Sequence, residues 1–164
     1  GTSYDMIDME RLMGEIINSF EFHIKEAGGT VEIEKLLPCY GNELQVNQLF
    51  SNLVSNALKY QAPERPLTIT VSSHMETTKN QVVYCVKDNG VGIPKEHQAR
   101  IFDIFHRLNP EAGEGEGLGL SIVQKIVNRH NGRVWVKSKK GEGSRFFIAL
   151  PAAEDPAYPL DRDQ

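Results

Sequence analysis

Apolar residues in the first part of the chain recur at every third or fourth position. This spacing predicts one amphipathic helix over residues 8–27, ended by the glycine pair that follows it. Residues 38–41 are predicted to form a turn because the segment begins with proline and ends with glycine. A second helix is predicted from Asn42, where Gln45 completes a pattern like a capping box, to about Tyr60.

Alternation of apolar and polar residues predicts the strands. Residues 31–33 form a short strand, and the β-branched run 67–73 pairs with 82–86 as a hairpin. A second hairpin joins 134–136 to 145–150. Helices and hairpins follow one another without regular βαβ alternation. We therefore expect an α/β (α+β) two-layer sandwich, with a mixed, mostly antiparallel sheet and helices packed on one face.

Between the two hairpins, the pattern predicts two more helices around a glycine-containing segment. The first is short and covers about 95–105, and the second covers about 118–131. The segment 109–117 between them holds one proline and three glycines, so it is predicted to be flexible.

Composition limits the classes of protein to consider. The chain has 164 residues, of which 40% are hydrophobic, and a net charge of −4, which fits one globular domain and gives no basic surplus for nucleic acid. No apolar run is long enough to span a membrane, and two cysteines without metal-binding spacing favour a reducing, cytoplasmic setting. We expect the domain to cover 8–151, with 1–7 a remnant or join and 152–164 a disordered tail or linker.

The second helix carries a polar stripe formed by Asn52, Asn56 and Lys59, at positions i, i+4 and i+7. Asparagine is unfavourable inside a helix, so two of them one turn apart suggest a function. Amide oxygens and an ammonium group suit a divalent cation that carries phosphates. A solvated helix face explains the stripe equally well.

The segment 113–120 alternates glycine with other residues and runs into a helix. A helix N-terminus with close backbone approach suits phosphate, although a plain flexible loop has the same composition. The chain has no GxxxxGK[ST] motif, and no strand comes directly before the glycines, so neither a P-loop nor a Rossmann loop applies.

Two further stretches allow both a functional and a structural interpretation. Asp88 at a strand end can accept a hydrogen bond from an adenine amine, with Gly90 and Gly92 leaving room for a base, but Asp-Asn-Gly also forms ordinary turns. Phe102 and Phe105 are three residues apart and favour a helix face in the core. Arg107, next to them, is either a partner for a terminal phosphate or a surface charge.

Together these stretches closely resemble the ATP-binding catalytic domain of sensor histidine kinases. That domain belongs to the superfamily that includes DNA gyrase B, the ninety-kilodalton heat-shock chaperones and MutL. Four ordered motifs carry the resemblance, within about residues 8–151: NLVSNALKY at 52–60, DNGVGIP at 88–94, FDIFHR at 102–107 and GEGLGL at 115–120. The fold, the ATP and Mg²⁺ ligands and the phosphoryl-transfer activity are what this resemblance implies.

The resemblance also implies a role for each motif residue. In the first motif, Asn56 with Asn52 would coordinate Mg²⁺, and the phosphate and nucleotide would be contacted by Lys59 and Tyr60. In the second motif, Asp88 would select adenine, and the base pocket would be formed by Gly90, Gly92 and Ile93, with Ser144 supporting it through water. In the last two motifs, a lid would be anchored by Phe102, Phe105 and Arg107; it would be hinged by Gly115, Gly117 and Gly119, beside Leu118 and Leu120, and this glycine segment would also cradle phosphate. Asn56, Lys59 and Arg107 are the residues expected to act on the transferring phosphoryl group.

The chain departs from a full histidine kinase because none of its five histidines lies in a phosphoacceptor context such as His-Glu-x-x-x-Pro. The resemblance therefore implies a monomeric catalytic fragment, with a dimerisation and histidine-phosphotransfer domain of the same parent kinase as its partner. A response regulator receiver domain would be an indirect partner. An anti-sigma-factor-like serine kinase and a non-catalytic nucleotide-binding docking module are the alternatives. No glutamate lies beside Asn52 to activate water, so ATP hydrolysis is expected to be slow.

Overall fold

The computed structural model describes residues 3–103 and 115–153, and for 115–118 it describes the backbone alone. Within these residues the helices are α1 (Met9–Ser19), α2 (Glu21–Glu26), α3 (Glu43–Lys59), α4 (Lys95–Gln98) and α5 (Gly115–Arg129), with a 3₁₀ turn at Thr77–Lys79. The strands are β1 (Asp5–Ile7), β2 (Thr30–Ile33), β3 (Cys39–Gly41), β4 (Thr68–Glu76), β5 (Gln81–Asp88), β6 (Arg133–Lys139) and β7 (Gly143–Pro151).

Five strands form the main sheet, in the order β2-β4-β5-β7-β6. Strand β2 runs parallel to β4, and every other neighbouring pair is antiparallel. Alternate residues such as Ile69, Val71 and Val86 are buried in one core with the apolar faces of α1, α3 and α5. The prediction of a two-layer sandwich with a mixed, mostly antiparallel sheet is therefore confirmed.

Helix α3 is the longest described helix, with 17 residues, and its start is held from two directions. The side chain of Asn42 accepts a hydrogen bond from the backbone N–H of Gln45 at 3.0 Å, which confirms the predicted N-cap. In a full capping box the side chain of Gln45 would accept a hydrogen bond from the backbone N–H of Asn42. Here that N–H donates instead to Nε2 of His130 at 3.1 Å. This bond ties the start of α3 to the residue that follows α5.

The first predicted helix is divided into two. Helix α1 ends at Ser19, whose hydroxyl donates to the carbonyl oxygen of Ile16 at 2.6 Å, and α2 begins at Glu21. Serine competes with the backbone in this way, which explains the break. The glycine pair ends α2 as predicted, with Gly28 at a φ of 63°.

The predicted turn at 38–41 is wrong, because Cys39–Gly41 forms β3 and pairs antiparallel with β1. No strand had been predicted in the first seven residues, yet the side chain of Ile7 is buried in this pair. Cys39 is fully buried and also bridges to Ala152 beyond the end of β7. Pairing with β1 and the bridge to Ala152 favour an extended chain where the proline and glycine predict a turn.

The two predicted helices after Asp88 differ in extent from the prediction. Helix α4 ends at Gln98 and not near 105, because the chain continues through tight turns closed by Arg100 N–H to His97 O and by Asp103 N–H to Arg100 O, both at 3.0 Å. Helix α5 begins at Gly115 and not at 118, so the end of the segment predicted as flexible is helical. Residues 104–114, and the predicted disordered tail after 153, lie outside the described residues.

Candidate functional site

Asp88 is a buried carboxylate at the end of β5, on the face of the sheet that packs against the helices. Its Oδ1 accepts a hydrogen bond from the backbone N–H of Gly90 at 2.8 Å. Burial raises the pKa of Asp88 above its ordinary value, and backbone hydrogen bonds from Gly90 and Ser144 oppose part of that rise. A carboxylate held in this way can accept a further hydrogen bond from a ligand with little rearrangement.

The loop after Asp88 lies against the end of α3. The N–H of Val91 donates to the carbonyl oxygen of Tyr60 at 2.9 Å. A Cβ atom at Gly90 would approach that carbonyl oxygen to 2.4 Å, and one at Gly92 would approach the carbonyl oxygen of Lys139 to 2.2 Å. Both positions therefore require glycine for close backbone packing, which is a reason additional to the base pocket that the resemblance implied.

Two serines form a hydrogen-bonded layer under this loop. The hydroxyl of Ser138 accepts from the N–H of Ile93 at 2.7 Å and donates to the carbonyl oxygen of Gly143 at 2.9 Å. It also lies 2.7 Å from the hydroxyl of Ser144, which pairs with Asp88 across β5 and β7. Ser138 was missed in the sequence, although the alternation of β6 puts it on the same face as Val136.

The polar stripe of α3 faces the start of α5. Asn52 is half-buried, and its side-chain Nδ2 donates to the carbonyl oxygen of Gly119 at 3.3 Å. Asn56, one turn after Asn52, is half-buried, and Lys59, nearly two turns after Asn52, is exposed. The bond from Asn52 leaves its Oδ1 as an acceptor, so the stripe has amide oxygen and ammonium groups to offer a metal–phosphate ligand.

Phe102 is in a turn after α4, and its ring packs edge-on against Phe146 of β7, with 6.2 Å between the centroids. It therefore joins the core, but not from the helix face that its spacing to Phe105 had suggested. Phe105 and Arg107 lie outside the described residues. Gly115 and Gly117 lie in the first turn of α5, where the side chain of Leu118 is not described, and Leu120 is buried in the core.

Arg65, which sequence reasoning missed, connects three parts of the site. Its Nε donates to the carbonyl oxygen of Asn89 at 2.7 Å, and its Nη2 donates to those of Gly90 at 2.8 Å and Gly141 at 2.9 Å. Gly141 in turn donates its N–H to the carbonyl oxygen of Val91 at 2.7 Å. Arg65 lies in a polar loop between two prolines, so no periodic pattern could have identified it.

Within residues 3–103 and 115–153, no group of three or more His, Cys, Asp or Glu side chains is placed to hold a metal ion. A metal held by the polar stripe would therefore rely on amide oxygens and on the phosphates of its ligand. In the same ranges, no helix is long and apolar enough to cross a membrane.

Comparison with known proteins gives one matching family model. Residues 41–154 match the family described as histidine kinase-, DNA gyrase B-, and HSP90-like ATPase. Among curated proteins, the chain is 42% identical over 128 residues to the adaptive-response sensory kinase SasA of Gloeothece citriformis, which covers 74% of this chain and 32% of that protein. The chain spans between 19% and 36% of the length of eight curated relatives that it matches.

Solved structures agree with this comparison. The catalytic domain of histidine kinase ThkA superposes with a TM-score of 0.77 at 25% identity, covering 92% of this chain and 97% of that one. Full-length ShkA in complex with AMPPNP also superposes with a TM-score of 0.77, at 26% identity, covering 93% of this chain and 32% of that one.

Proposed function

Because the chain belongs to the family of histidine kinase-, DNA gyrase B- and HSP90-like ATPases, we propose that it binds ATP with Mg²⁺ and donates the γ-phosphoryl group to a protein histidine. That histidine is on a separate dimerisation and phosphoacceptor domain of the same parent kinase. The catalytic domain is proposed to span 8–151, and the pairing of β1 with β3 adds a strand to it. This role is the function that the geometry of the site supports best.

One observation carries the proposal: two of the motif segments, the loop after Asp88 and the start of α5, converge on α3. The loop after Asp88 bonds to the carbonyl oxygen of Tyr60 at the end of the helix. The start of α5 bonds to Asn52 in its middle. A ligand that binds both the buried carboxylate and the polar stripe would therefore extend along α3, with its base at Asp88 and its phosphates towards Gly119.

At the end of the site where the base would bind, Asp88 favours adenine over guanine. A carboxylate accepts a hydrogen bond from the exocyclic amine of adenine, whereas the carbonyl oxygen of guanine at that position is also an acceptor. The close packing of Gly90 and Gly92 keeps side chains out of the space beside Asp88. Ile93 is buried next to them, which supports an apolar contact with the base.

The polar stripe fits a hydrated Mg²⁺ ion, which usually takes one or two protein oxygens together with substrate phosphates. Asn56 is the principal proposed ligand, and Asn52 would contribute the Oδ1 atom that its bond to Gly119 leaves available. Lys59 is exposed one turn from Asn56 and would attract phosphate. Mg²⁺, when bound, would neutralise the charge that develops on the transferring phosphoryl group.

Hydrolysis of ATP by this chain should be slow. The residue before Asn52 is Ser51, whose hydroxyl donates to Oδ1 of Asn47 at 3.1 Å and is not a general base. Without a carboxylate at that position, water is not activated, and the phosphoryl group is kept for a protein acceptor. Arg107 is proposed to pair with the terminal phosphate, and Phe105, Gly115 and Gly117 are proposed to belong to a lid.

The proposed setting is a reducing cytoplasm. Both cysteines are free, and burial raises the pKa of the Cys39 thiol to about 12, which makes it unreactive. A monomeric chain that engages the phosphoacceptor domain, with a response regulator receiver domain acting after it, completes the proposal.

The test is phosphoryl transfer from ATP labelled at the γ-phosphate to the purified phosphoacceptor domain of the parent kinase. We expect the label to appear on that domain, to be lost in acid as phosphohistidine is, and to be absent when the acceptor histidine is replaced by glutamine. Label that resists acid would indicate a serine kinase. No transfer despite nucleotide binding would indicate a docking module.

A further inference from the structure

The face of the main sheet opposite the helices carries a row of three cations on adjacent strands. Lys87 of β5 is directly opposite Arg145 of β7, and Arg145 is directly opposite Lys137 of β6. All three side chains are exposed. Like charges directly opposite each other destabilise a sheet, so this arrangement works against folding.

The charges of this row are not neutralised by neighbours. Within the part of the chain that the structure describes, none of the three forms an ion pair. A surface depression of about 430 Å³ beside the row is lined in part by the three cations, and its lining includes two carboxylates. Asp88 faces the other side of the sheet and binds Gly90, whereas Glu142 lies 3.8 Å from Lys139.

An aromatic pair lies next to the row. Trp135 of β6 is directly opposite Phe147 of β7, two residues along each strand from the Lys137–Arg145 pair and on the same face of the sheet. Their rings stack with 5.3 Å between the centroids and an angle of 11° between the planes. Both are half-buried. The guanidinium of Arg133 lies 5.0 Å from the Trp135 ring centroid, and the ammonium of Lys137 lies 5.6 Å from that of Phe147. The surface thus combines aromatic area with positive charge.

We propose that this cation row and aromatic pair form a docking surface for an acidic protein segment, specifically a helix that presents carboxylates one turn apart beside an apolar residue. Adjacent strands are about 4.8 Å apart, and carboxylates four residues apart on a helix are about 6 Å apart along its axis, so three acidic side chains match three cations. The stacked rings accommodate the apolar residue. The depression reaches Asp88 and Ser144 at the strand ends, but the three cations are on the face of the sheet opposite these two buried side chains, so the docking inference does not depend on the proposed kinase activity.

The extent of the charge favours a protein segment over a nucleic acid. The row covers three strands, or about 10 Å. Across the sheet from Lys87, the row continues through Thr70 of β4 to Glu32 of β2, which carries a negative charge. A polyanion longer than the row would meet this carboxylate, and the net charge of −4 would repel it. A short acidic segment ends before that carboxylate, and its few charges are repelled less by the net charge of −4 than those of a polyanion.

Trp135 is the only tryptophan in the chain, so its fluorescence reports directly on this surface. The probe is a synthetic helical peptide with glutamates at i, i+4 and i+8 and a leucine beside them, and a peptide with glutamine in place of glutamate is its control. We expect saturable binding of the acidic peptide that weakens with salt. The combined variant Lys87→Gln, Arg145→Gln and Lys137→Gln should bind about tenfold or more weakly, since each exposed ion pair contributes only a few-fold.

A matched variant, Lys25→Gln, Lys125→Gln and Arg129→Gln, changes the net charge equally at exposed positions on helices α2 and α5 and should bind the peptide as the parent chain does. Equal weakening by both variants, no binding of the peptide, or a preference for a DNA oligonucleotide would each overturn the proposal. Sedimentation measures whether the parent chain forms a dimer. If it does, and if the combined variant of the three cations is monomeric, the surface binds a second copy of this chain and the proposal is overturned.

Discussion

The side-chain amide of Asn52 donates a hydrogen bond to the carbonyl oxygen of Gly119 over 3.3 Å. This bond joins two motifs that are 67 residues apart in the sequence. It fixes the direction of the amide, so the Nδ2 atom faces α5 and the Oδ1 atom is left for a ligand. The polar stripe is thus partly structural and partly available for binding.

This arrangement predicts different effects for the two asparagines of the stripe. Asn56→Ala should remove the dependence of ATP binding on Mg²⁺ and leave stability nearly unchanged. Asn52→Ala should reduce that dependence and also lower the free energy of unfolding by about 1 kcal/mol through the lost bond to Gly119. Calorimetric titration with and without Mg²⁺, together with urea unfolding, measures both effects.

Gln48→Ala is the matched control, because Gln48 is exposed on the same helix. It should change neither measurement. If ATP binding by Asn56→Ala still depended fully on Mg²⁺, the proposal that the polar stripe binds the metal would be wrong.

Asp88→Asn should separate stability from binding. Burial raises the pKa of Asp88 in the folded chain above its unfolded value, so the folded chain holds the proton more tightly. The contribution of this group to stability is therefore greatest below the unfolded pKa, falls as pH rises to the folded pKa, and is unfavourable at neutral pH. Without nucleotide, the asparagine variant should be at least as stable as the parent chain at pH 7 and should lack this pH-dependent step.

Binding should change in the opposite direction. Loss of the charged acceptor should weaken ATP binding by about 2–3 kcal/mol, which is about 30- to 150-fold. Asp103→Asn, at an exposed carboxylate, is the control for both experiments. Unchanged ATP affinity in Asp88→Asn would mean that another group recognises adenine.

Arg65 should act by positioning the loop after Asp88 and not by its charge. Arg65→Gln loses donors to three carbonyl oxygens, so unfolding should become easier by about 1–3 kcal/mol, and ATP should bind more weakly. Arg65→Lys keeps the charge but loses the planar fork, so it should restore little of either property.

The lysine variant decides between the two roles. If it restores ATP affinity while the glutamine variant does not, Arg65 attracts phosphate and does not clamp the loop. Arg100→Gln, at an exposed arginine, should leave ATP affinity and stability unchanged.

Ser138→Ala should disturb the layer under the base loop. It leaves the N–H of Ile93 without its 2.7 Å acceptor and takes a partner from the hydroxyl of Ser144. We expect a loss of about 1–3 kcal/mol of stability and a smaller preference for ATP over GTP, measured by thermal unfolding with each nucleotide. An unchanged preference would separate this layer from base selection.

Much of the fold could be predicted because its elements obey local rules. The apolar stripe of α3, the cap at Asn42 and the alternation in β4, β5 and β7 each depend on residues close in the sequence. The prediction was wrong where distant contacts decide the conformation. Cys39–Gly41 is extended because it pairs with β1 and bridges to Ala152, and neither contact is visible locally.

The candidate site shows the same division. Motif residues such as Asp88 and Asn52 could be named because glycine, asparagine and aspartate break local propensity at fixed spacing. Arg65 could not be named, because it bonds to backbone atoms that only the folded chain brings near, and outside the site the same holds for His130 at the start of α3. The interpretation of Phe102 as a core residue was right, but its placement on a helix was wrong, since turns replace the end of the predicted helix.

The most direct test of the central claim is calorimetric titration of this chain with ATP and with GTP, each with and without Mg²⁺. We predict that ATP binds, that GTP binds much more weakly, and that Mg²⁺ strengthens ATP binding. Equal affinity for the two nucleotides, or no binding of either, would contradict the assignment of Asp88 and the polar stripe to a nucleotide site.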